Sequence, residues 1–252
     1  MQEFSWQLGN PIDAVIFDCD GTLSQIEGID ELALQSGVGP SVKLLTEEAM
    51  STTGLTPNLY KERLELVRPS LSQVIELGTT YYERVMEDAV DVIKIFKHFH
   101  KPVFLISAGL FPAVHIFGEK LGINTQHIFA VNINFTPEGE YLDYDANSSL
   151  VHNTGKRQII SELLTKYPRA VYIGDGLNDL SAADLVTRFV GYGGITYREN
   201  IAERCEFYIT CPTLAPLLTL SLTEEEAKKL TQSDQETYLK GLRAIQANLV
   251  KV

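Results

Sequence analysis

Short runs of apolar, mostly β-branched residues alternate along the chain with longer segments in which apolar residues recur at helical spacing. The short runs predict five strands, and the longer segments predict helices between most of them. Strands that alternate with helices favour a mostly parallel sheet with right-handed connections, so we expect an α/β fold. The predicted strands are residues 14–17, 103–106, 128–131, 170–173 and 189–191.

The segment between the first two predicted strands is too long to be a single connection. It spans about 85 residues (18–102), whereas a crossover between parallel strands needs only about a dozen or more. Helical periodicity fills most of this segment, which predicts a small helical unit at residues 25–78 inserted after the first strand. The helical patterns cover residues 31–36, 41–50, 58–67, 71–77 and 86–99.

Two more features are predicted in the second half of the chain. Turn residues flanked by alternating apolar positions predict a hairpin at residues 134–144. Thr223, followed three residues later by Glu226, fits a capping box at the start of a helix. An apolar stripe beyond it predicts an accessory helix in residues 221–252, which docks on the chain's own core or on a second subunit; a disordered tail is the alternative. The stripe consists of Tyr238, Leu242, Ile245 and Leu249.

Composition and charge exclude several classes of function. The 252 residues carry a formal net charge of -12, from 21 Lys and Arg against 33 Asp and Glu, and such a surface repels nucleic-acid backbones and anionic lipid heads. Three cysteines without metal-ligand spacing exclude zinc fingers and disulfide scaffolds and are typical of a reducing compartment. The first residues lack the basic and apolar regions of a signal peptide, so we expect a cytoplasmic protein that binds neither nucleic acid nor membrane.

Polar residues follow three of the predicted strands at the points where those strands end. Asp18 and Asp20 come after the first strand, and side chains two apart in extended backbone project to the same side. Ser107 follows the second strand, and Asp175 and Asp179 follow the fourth. Open α/β sheets bind their ligands at this edge, so we expect these groups to share one site. A simple turn after the first strand is the structural alternative.

Lys156 lies at the start of a predicted helix between the third and fourth strands. A lone lysine in such a place is usually solvated. The only reason to consider Lys156 a site residue is that four carboxylates and a serine are expected nearby. Hard oxygen ligands suit Mg²⁺, which also contacts substrate phosphate. A carboxylate can act as a nucleophile and form an aspartyl-phosphate. The combination predicts Mg²⁺-assisted phosphoryl transfer.

Taken together, these motifs resemble those of the haloacid-dehalogenase superfamily, and within it those of the phosphoserine phosphatases. The four motifs occur in the family's order, as residues 18–22 (DCDGT), Ser107, Lys156 and residues 174–179 (GDGLND). The resemblance extends from about residue 13 to residue 217, and the helical unit contains segments that look like the subgroup's cap.

The resemblance implies a Rossmann-like parallel sheet with a small helical cap inserted after the first strand. The core would consist of residues 1–24 and 79–220, and the cap of residues 25–78. Residues 221–252 lie outside the resemblance and would form the helical extension.

The resemblance also implies a role for each motif residue. Asp18 would be the nucleophile, and Asp20 would protonate the leaving alkoxide and then activate water. Lys156 would neutralise charge and hold Asp18 in line. The implied ligands of Mg²⁺ are the carboxylates of Asp18 and Asp175 and the carbonyl of Asp20, with Asp179 as a supporting ligand to metal-bound water.

A small phosphorylated amino acid is the substrate that the resemblance implies. Glu27 would recognise its amine and Arg63 its carboxylate, because arginine grips a carboxylate with two parallel hydrogen bonds. Met50 would wall the cavity. The residues implied to bind the phosphoryl group are Ser107, Ala108 and Asn178.

Several departures from the subgroup's pattern leave the substrate open. Ala108 stands where a glycine is common, and residues 86–88 (MED) replace a usual Pro-Gly. The favoured function is a Mg²⁺-dependent phosphatase that converts O-phospho-L-serine to L-serine and phosphate. The alternatives are another small phosphomonoester as substrate, transfer of the phosphoryl group to an alcohol, and a catalytically silent binding protein. Monomer and homodimer are both compatible with the sequence.

Overall fold

The computed structural model describes residues 6–52 and 54–252, and the strands of this part of the chain form one sheet. The strands are β1 (Ala14–Phe17), β2 (Val103–Phe111), β3 (Ile128–Phe135), β4 (Tyr141–Tyr144), β5 (Ala170–Gly174), β6 (Arg188–Tyr192), β7 (Phe207–Ile209) and β8 (Val250–Lys251). Across the sheet their order is β4-β3-β2-β1-β5-β6-β7-β8. Only the edge strands β4 and β8 of this described sheet run antiparallel to their neighbours. The α/β prediction is confirmed.

Helices connect the strands. The α-helices are α1 (Gly28–Gln35), α2 (Gly39–Glu47), α3 (Pro57–Val67), α4 (Leu71–Glu83), α5 (Ala89–His98), α6 (Ala113–Lys120), α7 (Gly155–Leu164), α8 (Leu177–Leu180), α9 (Glu199–Ala202), α10 (Ala215–Ser221), α11 (Glu224–Ala227) and α12 (Gln232–Gln246). A π-helical turn (Glu48–Thr52) extends α2. Within the described residues, none of these helices has the length and apolar character needed to cross a bilayer.

Strand β1 lies in the middle of the sheet, and all four of its residues are buried. Its run of apolar residues suits a strand that is covered on both faces. Val15 pairs with Val103 of β2 on one side and with Val171 of β5 on the other. Because parallel strands end at the same edge, the residues that follow β1 lie between the ends of β2 and β5.

All five predicted strands are present, and the predicted hairpin is formed by β3 and β4. Strand β2 is longer than predicted, because pairing with β3 resumes at Leu110 after a register shift. Ser107 therefore lies within the strand and not after it. Strands β7 and β8 were not predicted; they have only three and two residues, which is too short for an alternating pattern to be recognised.

The inserted helices α1–α4 follow the predicted order, but their boundaries differ from the prediction. Helix α4 continues to Glu83 and so crosses the predicted boundary between residues 78 and 79. At Gly78, α4 lies against α6 so closely that a Cβ would be 2.7 Å from the Cβ of Ile116. The division into core and cap stays a prediction, and residues 1–5 and 53 of it lie outside the described residues.

The C-terminal extension docks on the chain's own core, so the disordered-tail alternative is wrong for residues 221–252. Tyr238, Leu242 and Ile245 of the predicted stripe pack against the core. Leu249 does not belong to this stripe and is exposed, because α12 ends at Gln246 and the chain then turns at Asn248, which has φ 59°. Beyond the turn, β8 pairs with β7 and extends the sheet.

A buried ion pair fastens this extension to the core. The predicted capping box is present, with Thr223 and Glu226 bonded reciprocally at the start of α11. The carboxylate of Glu226 also lies 2.7 Å from the Lys101 ammonium, and both side chains are nearly buried. The same ammonium donates to the Ile12 carbonyl at 2.8 Å. Glu226 thus caps its own helix and neutralises a lysine of the core.

We expect Glu226→Ala to lower the free energy of unfolding by about 3 to 5 kcal/mol, because it leaves the buried charge of Lys101 without a partner. Chemical denaturation at neutral pH measures this loss. The matched control is Glu225→Ala, which removes an exposed pair with Lys228 from the same helix and should cause no measurable change. Losses of equal size in the two variants would contradict this account of the docking.

Candidate active site

The predicted site residues gather at the carboxyl edge of three neighbouring strands. Asp18 follows β1, Ser107 lies in the middle of β2, and Asp175 follows β5. All three are buried, with relative exposures of 3%, 0% and 2%. A turn alone does not account for this arrangement, since each strand contributes a polar group to one enclosed place.

Lys156 lies at the centre of these groups. Its side chain is 2% exposed, and its ammonium is hydrogen-bonded to Asp18 Oδ1 and, at 2.6 Å, to Asp179 Oδ1. Burial alone would lower the pKa of Lys156, but the charges of Asp179 and Asp18 and their hydrogen bonds raise it above its usual value. The lysine is therefore a fixed cation. Gly155 allows the start of α7 to lie against the Ser149 carbonyl, because any Cβ at this position would overlap that carbonyl.

Asp179 is held by four donors. Its Oδ1 accepts hydrogen bonds from Lys156 and from the buried hydroxyl of Tyr172. Its Oδ2 accepts from the backbone N–H groups of Asp175 (3.2 Å) and Gly176 (2.9 Å). These contacts fix the loop after β5 and orient Lys156, and the Asp179 side chain has no exposed surface.

Asp18, Asp175 and Asp179 form a compact acidic cluster in which one oxygen of each lies within 4.8 Å of the others. Burial, together with the charge of Asp179, raises the pKa of Asp18 well above its usual range. Burial likewise raises the pKa of Asp175 to about 6. Lys156 and Arg198, which pairs with Asp175, supply two positive charges against these three carboxylates, so the cluster favours either a proton or an additional cation.

The cluster fits a hard divalent cation such as Mg²⁺. Asp175 Oδ1 is buried and has no hydrogen-bond partner among the described residues, which is the condition of a ligand oxygen that lacks its ion. Carboxylate and carbonyl oxygens are the ligands that Mg²⁺ takes in proteins. Gly21, with φ 67°, brings the backbone so close to this carboxylate that a Cβ would be 2.6 Å from Asp175 Oδ2.

Arg198 is a neighbour of the cluster that was not among the predicted site residues. Its guanidinium donates a 2.6 Å hydrogen bond to Asp175 Oδ2. No local pattern of the sequence links the two residues, because Arg198 lies 23 positions after its partner in a loop that follows β6. This arginine orients one oxygen of Asp175 and leaves the other oxygen unpaired.

Asp20 is not one of the three carboxylates of the acidic cluster and has hydrogen-bond donors of its own. Its Oδ1 accepts from the Gly28 N–H at 2.7 Å and from the Tyr81 hydroxyl at 2.6 Å. Its Oδ2 accepts from Ser107 Oγ at 3.2 Å. Burial and the charge of Asp20 raise the pKa of Tyr81 well above its usual value, so the hydroxyl keeps its proton and is the donor. Tyr81 was also missed, because the predicted helix in this region ended at residue 77.

A pocket next to these carboxylates is lined by both the inserted helices and the sheet edge. Glu27, Met50 and Arg63 all contribute to its wall. Arg63 is 8% exposed, and its Nε is buried with no hydrogen-bond partner in the part of the chain that the structure describes. Burial and the charge of Asp20 raise the pKa of Glu27 well above its usual range. Besides Asp18, Asp20 and Lys156, which also line it, the pocket thus offers one cationic and one acidic side chain.

The remaining predicted residues border the same pocket. Ala108 and Asn178 line it, and Ser107 Oγ accepts a 2.8 Å hydrogen bond from the Gly109 N–H. The Tyr60 hydroxyl of α3 donates to the Ala108 carbonyl at 3.0 Å and so links an inserted helix to the sheet edge. Each predicted residue therefore lies at the site.

Comparisons with known proteins agree with this geometry. The model of the haloacid dehalogenase-like hydrolase family matches residues 15–184. Phosphoserine phosphatase from Bos taurus is 33% identical over 200 residues, which are 79% of this chain and 89% of the bovine protein. A phosphoserine phosphohydrolase-like protein from Francisella tularensis superposes with a TM-score of 0.75 at 19% identity, covering 84% of this chain and 100% of that one. A structure described as a phospho-aspartyl intermediate analogue of phosphoserine phosphatase has a TM-score of 0.71 at 25% identity, covering 83% and 98%.

Added Mg²⁺ should raise the Tm of the metal-free protein, and more at pH 7 than at pH 5. The folded-state pKa of Asp175 is raised to about 6, so its ionisation costs stability as pH rises from the unfolded-state value of about 4 towards 6. At pH 7 the cation relieves this cost, whereas at pH 5 it must displace a proton. A cation at a hundredfold excess over its Kd stabilises by about 2.7 kcal/mol.

Scanning calorimetry in chelator and in excess Mg²⁺ measures both increases. Asp175→Asn should abolish most of the increase at pH 7, while Asp145→Asn, which lies outside the cluster, should leave it unchanged. An equal increase at both pH values, or one that persists in Asp175→Asn, would contradict the assignment of the cation to this cluster.

Proposed function

We propose a reaction for this chain, which belongs to the haloacid dehalogenase-like hydrolases and within them to the phosphoserine phosphatase family. The proposed reaction is hydrolysis of O-phospho-L-serine to L-serine and phosphate. The observation that carries the proposal is the meeting of Asp18, Asp20 and Lys156 beside a pocket whose wall contains Glu27 and Arg63. The first three residues supply phosphoryl-transfer chemistry. The last two supply groups for an amine and a carboxylate.

Asp18 is the proposed nucleophile. One of its oxygens is bonded to Lys156, which fixes the side chain and leaves the other oxygen to attack phosphorus. As the bond between phosphorus and the serine oxygen breaks, Asp20 gives its proton to that oxygen. Asp20 then takes a proton from the water that attacks the aspartyl-phosphate, which returns Asp18 to its carboxylate form.

The proposed cofactor is Mg²⁺. The residues that would hold it are Asp18 and Asp175 through their carboxylates and Asp20 through its carbonyl, with Asp179 in the supporting position. When bound, the ion supplies positive charge next to the phosphoryl oxygens. The orphaned oxygen of Asp175 supports this assignment.

Substrate recognition follows from the charges of the pocket. The unpaired Nε of Arg63 is a donor for the substrate carboxylate, and Glu27 is an acceptor for the ammonium group. Met50 lies over the loop after β5, where its Cε would be 2.7 Å from a Cβ on Gly176, and closes one side. Ser107, Ala108 and Asn178 are the proposed phosphoryl-binding residues.

We place this reaction in the cytoplasm. The placement rests on the cysteine content, since Cys19, Cys205 and Cys211 are all free and buried, which is typical of a reducing compartment. The proposed partner is the small phosphorylated amino acid itself.

We expect Asp18→Asn to abolish turnover of O-phosphoserine while the protein stays folded, because the amide cannot attack phosphorus. Phosphate release in Mg²⁺ measures turnover, and the melting temperature checks the fold. Beryllofluoride with Mg²⁺ should stabilise the wild type and not the variant. Wild-type turnover in Asp18→Asn would contradict the mechanism.

We expect O-phospho-L-serine to be preferred over phosphoglycolate, which has a carboxylate for Arg63 but no amine for Glu27. Loss of a buried charge-assisted contact costs about 2 to 5 kcal/mol, so Arg63→Ala should lower kcat/KM for phosphoserine by a factor on the order of 30 or more. The control is Arg68→Ala at the end of α3, where the arginine is exposed, and it should leave kcat/KM unchanged.

A panel of phosphate esters, run with and without an added alcohol acceptor, separates the alternatives. Equal rates for phosphoserine and phosphoglycolate with no effect of Arg63→Ala would indicate another phosphomonoester. Formation of a phosphorylated acceptor in place of free phosphate would indicate a phosphotransferase. No turnover of any ester would indicate a binding protein.

A further inference from the structure

Tyr81 brings a hydroxyl to Asp20 from the interior of the protein. The residue lies near the end of α4, is 1% exposed, and its ring stacks on Phe117 with a centroid distance of 5.5 Å and an interplanar angle of 26°. Its hydroxyl donates to Asp20 Oδ1 at 2.6 Å. A tyrosine whose ring is fixed by packing presents its hydroxyl at a defined point.

Two glycines allow close packing around Tyr81. Any Cβ at Gly28 would overlap the Tyr81 hydroxyl and the ring carbon that carries it. At Gly78, one turn earlier in α4, a Cβ would be 2.9 Å from the Ala113 carbonyl, so the glycine lets α4 lie directly on α6. Ser24 Oγ also donates to the Tyr81 carbonyl at 3.1 Å. The position of Tyr81 is therefore fixed by contacts with α1, α6 and the loop that follows β1.

These contacts make the two oxygens of Asp20 unequal. Oδ1 accepts from both Tyr81 and the Gly28 N–H, whereas Oδ2 accepts, among the described residues, only from Ser107 Oγ at the longer distance of 3.2 Å. Oδ2 also lies close to β2 beside the proposed phosphoryl-binding residues Ser107 and Ala108, since a Cβ on Gly109 would be 3.2 Å from it. We propose that Tyr81 is a positioning residue that fixes Asp20 so that Oδ2 is the oxygen that transfers the proton.

This inference rests on the proposed function. In the first step, a bond forms between an Asp18 oxygen and phosphorus, the bond from phosphorus to the ester oxygen breaks, and the proton on Asp20 Oδ2 moves to that ester oxygen. In the second step, water forms a bond to phosphorus, its proton moves to Oδ2, and the bond between Asp18 and phosphorus breaks. Without the Tyr81 hydroxyl, Asp20 can rotate away from this alignment.

Tyr81→Phe tests the inference, because it removes only the hydroxyl. An alkoxide needs a proton to leave, whereas the acetate of acetyl phosphate leaves without one. We expect kcat/KM for O-phosphoserine to fall by about tenfold to a hundredfold, while kcat/KM for acetyl phosphate changes by less than about threefold. A merely structural role would lower both values alike.

Two further variants control the result. Tyr82→Phe changes the next residue of α4, which is partly exposed and outside the site, and should leave both values unchanged. Gly28→Ala keeps the N–H donor but displaces the Tyr81 hydroxyl, so it should reproduce the selective loss. Melting temperatures of all variants check the fold.

Equal losses on the two substrates, or no loss on phosphoserine, in Tyr81→Phe would overturn the inference while the proposed function stands. If wild-type protein hydrolyses neither phosphoserine nor acetyl phosphate, the proposed function fails and the inference fails with it. If phosphoserine is not a substrate but another alkyl phosphate is, the same comparison with that ester decides the role of Tyr81.

Discussion

The pairing of Lys156 with Asp18 and Asp179 is the interaction on which the rest of the site depends. Buried carboxylates cost several kcal/mol each unless a cation compensates them, and Lys156 is the cation that the chain itself provides inside the cluster. The sheet puts the carboxylates at the ends of β1 and β5, and α7 must begin at a fixed place for the lysine to reach them. Gly155 makes this start possible, because without a Cβ it can lie close to the Ser149 carbonyl.

The charge that Lys156 leaves unbalanced explains the chemistry of the site. Three carboxylates face the Lys156 ammonium and the Arg198 guanidinium, so one negative charge is left over. The raised pKa values of Asp18 and Asp175 express the same imbalance. A divalent cation would complete the balance, and together with Lys156 it would create a positive field in a protein whose net charge is negative. This field is what a phosphate ester requires.

The sequence predicts those parts of the site that depend on local pattern. Asp18 and Asp175 follow apolar strand runs, so their meeting at one sheet edge could be predicted from parallel topology, and Glu27 and Arg63 could be placed through the family resemblance. Tyr81 could not, because its contact with Asp20 joins positions 61 apart through the packing of a helix that continues beyond its apolar pattern. Short edge strands such as β8 likewise depend on pairing and not on periodicity.

We expect Asp18 to carry the phosphoryl group between substrate and water. Reductive trapping during turnover detects this intermediate, because borohydride converts an aspartyl-phosphate to homoserine and leaves a free carboxylate unchanged. With O-phosphoserine and Mg²⁺, mass spectrometry should find homoserine at position 18, and only when substrate is present. Trapping at another residue, or turnover without any trapped residue at position 18, would contradict the account.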